Sequence, residues 1–346
     1  MPVLAVLGAT GYTGGLICAE ARRLGIPLRL VGRRREALEE IARGEEIRVA
    51  DAQDEDSLAR AFEGATVVAS TAGPFLEVGH APVAAAIRVG AHYLDTSGEQ
   101  AYARIVYERY GPEAERRGVV LLTSFGFDYV PGDLAARLAA DGLEPVQEIG
   151  VAYAVSGTKS SRGTRRSVAQ IMRQPLVSWS GGQLLPSRFA ATSRKVTFPF
   201  GEREVVEWGG TEPLSVPRHT DVQDVRSYIR APRVAARLAP AMGIVAPLFR
   251  LSAALGRKDP DEERRRGATF TVVAEARGAK GTRRTTLTGT DVYRLTGLLI
   301  ARGAEALIAG EARGAGALAP AEAFDARGFV ERLDPLLALG DVRDWT

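Results

Sequence analysis

The chain has 346 residues, 45% of them hydrophobic, enough for a large buried core, and its length favours two domains over one. Its 45 basic and 42 acidic side chains leave a net charge of +3, and the basic residues are interleaved with acids, which argues against a nucleic-acid-binding surface despite a pI near 9.1. The single cysteine, Cys18, excludes a disulfide framework and is expected to be reduced and buried.

The first predicted element carries the most information. Residues 3–7 are an apolar run that breaks into Gly8, Gly11 and Gly14, three glycines separated by two residues each, followed by a helical stretch near 13–24. A buried strand turning into a helix around a phosphate needs this arrangement. The turn is tight, the backbone must approach a pyrophosphate closely, and free amides at the helix N-terminus hold the anion. The candidate cofactor residues here are Gly8, Thr10, Gly11, Tyr12, Thr13 and Gly14. The second strand, near 28–31, leads into Gly32-Arg33-Arg34-Arg35. An NAD-specific domain places a carboxylate at this point for the ribose hydroxyls. Guanidinium groups instead match a 2′-phosphate with charge-assisted hydrogen bonds, so Arg33 and Arg34 point to NADP. Asp51, after a third strand near 47–50, is read either as an adenine contact or as an ordinary turn residue.

Further strands near 66–71, 92–95 and 119–123 alternate with helices near 34–43, 55–63, 80–89, 99–117 and 131–141, a pattern that predicts parallel strands with right-handed crossovers. From about Gln147 the pattern changes to an alternating strand over 148–155, a loop and helix through Met172, and short strands to about 230. A proline-containing helical stretch over 232–255 and a charged loop over 257–266 follow. Strands 268–276 and 284–290 form a hairpin around Gly278-Ala279-Lys280-Gly281, and helices near 291–310 and 328–339 close the chain. The predicted fold class is α/β: a Rossmann-type doubly wound parallel sheet over 1–145, then an α+β substrate and dimerisation domain over 146–346 on a mostly antiparallel sheet. Its C-terminal helices are free to pack back on the first domain.

Three segments at strand ends are placed for chemistry: Thr71-Ala72-Gly73-Pro74-Phe75, His92 to Glu99, and Phe125 to Asp133. Ligands of an open parallel sheet bind outside the carboxyl ends of the strands. Taken in order, Gly11-Tyr12-Thr13-Gly14, Ala72-Gly73-Pro74-Phe75, Tyr93-Leu94-Asp95-Thr96-Ser97-Gly98-Glu99 and Gly126-Phe127-Asp128-Tyr129-Val130-Pro131-Gly132-Asp133 resemble the saccharopine dehydrogenase-like oxidoreductases, in particular the bacterial branch that includes trans-acting enoyl reductases of lipid synthesis. The likeness continues at Ser161-Arg162-Gly163-Thr164-Arg165-Arg166-Ser167 and Pro320-Ala321-Glu322-Ala323-Phe324, so it covers nearly the whole chain.

The resemblance implies Gly8, Gly11, Tyr12, Thr13 and Gly14 around the pyrophosphate, Arg33 at the adenosine phosphate, and Ala72, Gly73, Pro74 and Phe75 beside the ribose and nicotinamide. It implies hydride transfer to or from a C=O, C=N or C=C bond. Asp95, Glu99 and Asp128 are the candidate catalytic carboxylates. Their alternative is structural, with Asp95 and Glu99 capping the following helix and Asp128 and Asp133 capping the one that begins at Pro131. Tyr129 and Lys159 are further proton-donor candidates, although a buried tyrosine and a solvated lysine are the commoner fates. The Ser160 to Thr164 loop is either an anion site or a capped turn. No Tyr-x-x-x-Lys pair is present, and His80, His92 and His219 lack metal-ligand spacing, so no metal is expected.

The longest apolar stretch, 238–249, contains Pro240 and Pro247 and is too short to span a bilayer, and the chain enters its first strand without a basic leader. A cytoplasmic homodimer with a lipophilic small-molecule substrate, other than saccharopine, is expected. Contact with a lipid surface and a non-catalytic NADP(H)-binding sensor or scaffold are kept as alternatives.

Overall fold

The computed structural model describes residues 2–157, 175–231 and 266–344. Lys159, the Ser160 to Thr164 loop, the helix through Met172, the stretch 232–255 with its apolar run, and all but the last residue of the charged loop 257–266 lie outside the described residues. Two compact units form. The first comprises 1–97, 102–127 and 293–324, and the second 98–101, 128–292 and 325–346.

The first unit is built on a parallel sheet of β1 (Leu4–Leu7), β2 (Leu28–Gly32), β3 (Glu46–Val49), β4 (Val67–Ser70), β5 (His92–Asp95) and β6 (Val120–Leu122). Their order is β6-β5-β4-β1-β2-β3, with the two-residue strand Gly316–Ala317 added beyond β6. β1 and β4 are buried at every position, as expected of strands covered on both faces by helices. β3, at the edge, is largely exposed and reads Glu-Ile-Arg-Val. Helix Glu55–Phe62 begins where the Asp54 carboxylate accepts from the Ser57 amide, and it buries Leu58, Ala59, Ala61 and Phe62. The strand order reverses between β1 and β4, and the crevice outside their carboxyl ends is where such a sheet binds its ligand.

The predicted helix over 291–310 is observed as Val292–Ile308, and from Tyr293 on it belongs to the first unit. Residues 128–145, which precede the expected boundary, belong to the second. The interleaving has a packing cause in each direction. Helix Val130–Ala140 is apolar along the face that covers strands of the second sheet, whereas the helix after 292 sets Gly303 against Leu94 and Phe125 of the first unit.

The second unit is organised around four long strands, β7 (Val146–Ser156), β12 (Val222–Arg230), β13 (Thr269–Gly278) and β14 (Gly281–Thr290). β8 (Leu176–Ser180), β9 (Gln183–Ser187), β10 (Ser193–Phe198) and β11 (Gly201–Glu207) complete the side beyond β12. β7 and β12 run parallel, and the other described pairs are antiparallel. The hairpin turns through Ala279 and Lys280. The helix expected over 328–339 is observed only as Ala326–Glu331, and Leu337–Asp344 is a strand paired with β14. Pro335 supplies no backbone N–H and disfavours a helical residue before it, so the chain leaves the helix and takes the open edge of β14.

Candidate active site

The glycine-rich turn is held in place by its neighbours. Gly8 donates its amide to the Val31 carbonyl at 3.0 Å, and Gly11 donates to the Gly8 carbonyl at 2.9 Å. From the end of β4, Thr71 donates its hydroxyl to the Leu7 carbonyl at 3.1 Å and its amide to the same oxygen at 3.0 Å. Gly8 has φ +84°, a conformation that side-chain-bearing residues rarely adopt. At Gly14 an added Cβ would lie 2.1 Å from the Gly8 carbonyl oxygen, so strand and helix approach as closely as backbone allows.

Helix Tyr12–Arg23 starts from Gly11 with no side-chain cap and no acid in its first turn. The helix dipole favours negative charge at that end. Thr10 and Gly11 are exposed at the crest, and Thr13 is half-buried. Arg33 and Arg34 follow β2, are both exposed, and make no ion pair among the described residues. A glycine-rich turn at a helix N-terminus beside the switch point, with two exposed guanidinium groups one strand away, fits the phosphates of a dinucleotide.

The Ala72-Gly73-Pro74 segment lies at the end of β4, partly open to solvent. Phe75 does not extend that surface. Its ring is 6% exposed and packs against Tyr102 at 5.4 Å between centroids, so any contribution beside a nicotinamide comes from the loop and not from this ring. Asp51 accepts from the Gln53 amide at 3.0 Å and holds its own turn.

The candidate acids separate by burial. Asp95 is fully buried and accepts from the Ser97 amide at 2.9 Å and the Ser124 amide at 2.8 Å, tying the ends of β5 and β6 together. Glu99 is 1% exposed. Tyr129 is 3% exposed and donates its hydroxyl to the Gly98 carbonyl at 2.7 Å. Burial first, and then the carboxyls of Asp128, Glu212 and Glu99, push its phenol well above the ordinary value, so it stays protonated. Asp128 differs from all three. Solvent reaches its side chain, yet protein fills most of the space around it, and that desolvation pushes the carboxyl up to about 6. Asp133 lies in the first turn of helix Val130–Ala140, as an acid that favours a helix N-terminus, and is bonded to His219 Nε2 at 3.0 Å.

The structure adds residues that no motif indicated. Glu212 is fully buried and makes no ion pair among the described residues; it accepts from Tyr153 and Ser227 hydroxyls at 2.6 Å each and is pushed by burial up to about 7, against the lowering effect of those hydroxyls. Gln100 bridges Gly210 and Val177 backbone groups, and Trp208 stacks on Tyr129 at 6.0 Å. Glu212 heads an ordinary-looking Thr-Glu-Pro helix start, and nothing local in the sequence marks it as buried.

The sheet order and the amide turn define a dinucleotide-binding Rossmann domain, and residues 8–133 match the NAD(P)H-binding family model. The chain is homologous to the saccharopine dehydrogenase-like oxidoreductases: it is 29% identical over 152 residues to the human protein of that name, a match covering 38% of this chain and 35% of that protein. A protein of Mycobacterium tuberculosis that carries the name trans-acting enoyl reductase is 35% identical over 141 residues, covering 38% of this chain and 34% of the relative. A lipid droplet localized protein of Caenorhabditis elegans is 32% identical over 147 residues, covering 38% and 34%. These matches span about a third of each relative's length. Among solved structures, apo saccharopine dehydrogenase (L-Glu forming) from Saccharomyces cerevisiae superposes with a TM-score of 0.67 over 100% of both chains at 14% identity, which shows a shared fold.

Proposed function

We propose that this chain is an NADP-dependent oxidoreductase acting on a C=O, C=N or C=C bond of a lipophilic small molecule. The observation that carries the cofactor assignment is the pair Arg33 and Arg34, exposed and without ion pairs among the described residues, at the strand end where a carboxylate would mark NAD. A bound nicotinamide dinucleotide supplies hydride chemistry, and this chain supplies the phosphate cradle, the orientation and a proton. Asp128 is the accessible acid suited to that last task, since a carboxyl titrating near 6 exchanges a proton readily around neutral pH. The names of two relatives, an enoyl reductase and a lipid droplet protein, support a lipophilic substrate.

Fluorescence titration is expected to give NADPH an affinity at least about tenfold above that of NADH, because hydrogen bonds to charged groups contribute about 1.5–3 kcal/mol each and about 1.4 kcal/mol is tenfold. Arg33→Asp should erase most of that ratio; equal affinities in the wild type, or an unchanged ratio in the variant, would sink the NADP assignment. One observation favours a second reading, a redox-responsive NADP(H)-binding sensor: Asp95, Glu99 and Tyr129 are all buried, leaving Asp128 as the one accessible acid of the four. A panel of aldehydes, imines and enoyl thioesters that leaves NADPH unoxidised would favour the sensor.

A further inference from the structure

A pocket of about 420 Å³ lies within the second unit, where the β8–β9 hairpin meets β12. That volume is within the range of small-molecule sites. Its lining divides by chemistry. Leu185, Pro186 and Ala191 are apolar, and Leu185 is 40% exposed, a large hydrophobic side chain open to whatever enters. Ser178, Arg188 and Arg226 are the polar groups that remain available. The other two serines of the wall are engaged, Ser180 donating to Asp224 at 2.6 Å and Ser187 to Glu207. Ser178 is 4% exposed, yet its hydroxyl makes no hydrogen bond among the described residues. Arg188 is exposed and makes no ion pair among them either. Arg226 reaches Glu207 only at 3.5 Å, and that carboxylate also accepts from the hydroxyls of Ser187 and Thr192.

The turn that carries Arg188 and Ala191 is fixed by its backbone. Ala190 has φ +55°, a conformation that side-chain-bearing residues seldom adopt. It is held there because its amide donates to the Glu207 carbonyl at 2.7 Å, while the Ala191 amide donates to the Arg188 carbonyl at 3.1 Å and the Glu207 amide to the Thr192 carbonyl at 2.9 Å. A wall built this way needs little ordering when a ligand arrives.

We propose that this pocket binds a small organic carboxylate, whose oxygens accept from Arg188, Arg226 and Ser178 while its hydrocarbon part lies on Leu185, Pro186 and Ala191. A guanidinium fork matches a planar carboxylate, and a ligand oxygen gives the buried Ser178 hydroxyl the partner it lacks. Asp224 and Glu207, behind the wall, offset the charge of the two arginines, which suits a singly charged acid better than a doubly charged phosphate. The proposal does not depend on the cofactor reading, because every residue in it belongs to the second unit.

The experiment is calorimetric titration of the full chain with hexanoate, 1-hexanol and inorganic phosphate, for wild type, Arg188→Gln and Ser178→Ala, with thermal melting in parallel. Hexanoate should bind wild type at least about tenfold more tightly than 1-hexanol, which has the chain without the charge, or phosphate, which has charge without the chain. Arg188→Gln should weaken hexanoate binding about fivefold to tenfold, and Ser178→Ala about threefold to fivefold. Arg188→Gln removes no ion pair seen among the described residues, so its melting temperature should match wild type. No binding of hexanoate to wild type, or 1-hexanol or phosphate binding as tightly, would overturn the proposal. So would unchanged hexanoate affinity in the folded Arg188→Gln variant, which would place the acid elsewhere on the chain.

Discussion

Asp128, Asp95, Glu99 and Tyr129 all fall in strand-end segments, and spacing alone does not rank them. What separates them is the fate of each polar atom. Asp95 holds two backbone amides, Tyr129 is bonded to a carbonyl, and Glu99 is buried, whereas solvent reaches Asp128. The Asp128 carboxyl is held near 6 by desolvation, above the ordinary aspartate range, so its acid form persists further toward neutral pH. If that form donates the proton in substrate reduction, kcat/KM is high below the pKa and falls as pH rises through about 6. Asp128→Asn should lower kcat by about a hundredfold or more and abolish that pH dependence. NADPH affinity should remain within about threefold, because an interaction made only in the transition state changes rate and not binding. A persisting inflection near 6 in the variant's rate profile would assign the proton to another group.

At the scale of elements, the glycine turn and the helices that follow it were readable because their determinants are local. Strand β1 is a continuous apolar run, Asp54 caps its helix, and each glycine of the turn answers a steric demand set within a few residues. The turn makes a sharp prediction. Gly14→Ala places a methyl 2.1 Å from the Gly8 carbonyl oxygen, which only backbone movement relieves, so NADPH binding should weaken by more than about tenfold and the melting temperature should fall. Gly15→Ala, which meets nothing within 4 Å, should leave both unchanged and serves as the control in the same titration and melt. The element that misled is 328–339. Its apolar spacing suits a helix, but Leu337, Ala338 and Leu339 are drawn into register with Gly289, Thr288 and Leu287 at the sheet edge, a pull that periodicity does not contain.

For the whole molecule, the fold is shared with yeast saccharopine dehydrogenase, yet a fold does not carry its substrate. Saccharopine bears several carboxylates and two nitrogens, and a pocket for it needs clustered, oriented charges, since buried charge left unpaired is expensive. Among the described residues, arginines on the sheet of the second unit are paired: Arg194 with Glu148 and Glu275, Arg284 with Glu275, Arg226 with Glu207, and Arg277 with Glu148. Steady-state assays should therefore show negligible NADP reduction with saccharopine and turnover with long-chain carbonyl or enoyl substrates. Appreciable saccharopine turnover would refute this view of the second unit.

The sequence by itself determined the parallel dinucleotide-binding sheet, the position of the phosphate turn and the arginines after β2, because glycine spacing, buried-strand composition and charge act over a few residues and leave a direct trace. It also determined that a second, mostly antiparallel sheet follows. Only the tertiary structure decided which carboxylate solvent reaches, that Glu212 is buried, that the chain after 292 returns to the first unit, and that Tyr293 meets Tyr12. Each of these depends on groups brought together from distant parts of the chain, where burial and packing, not local preference, set the outcome.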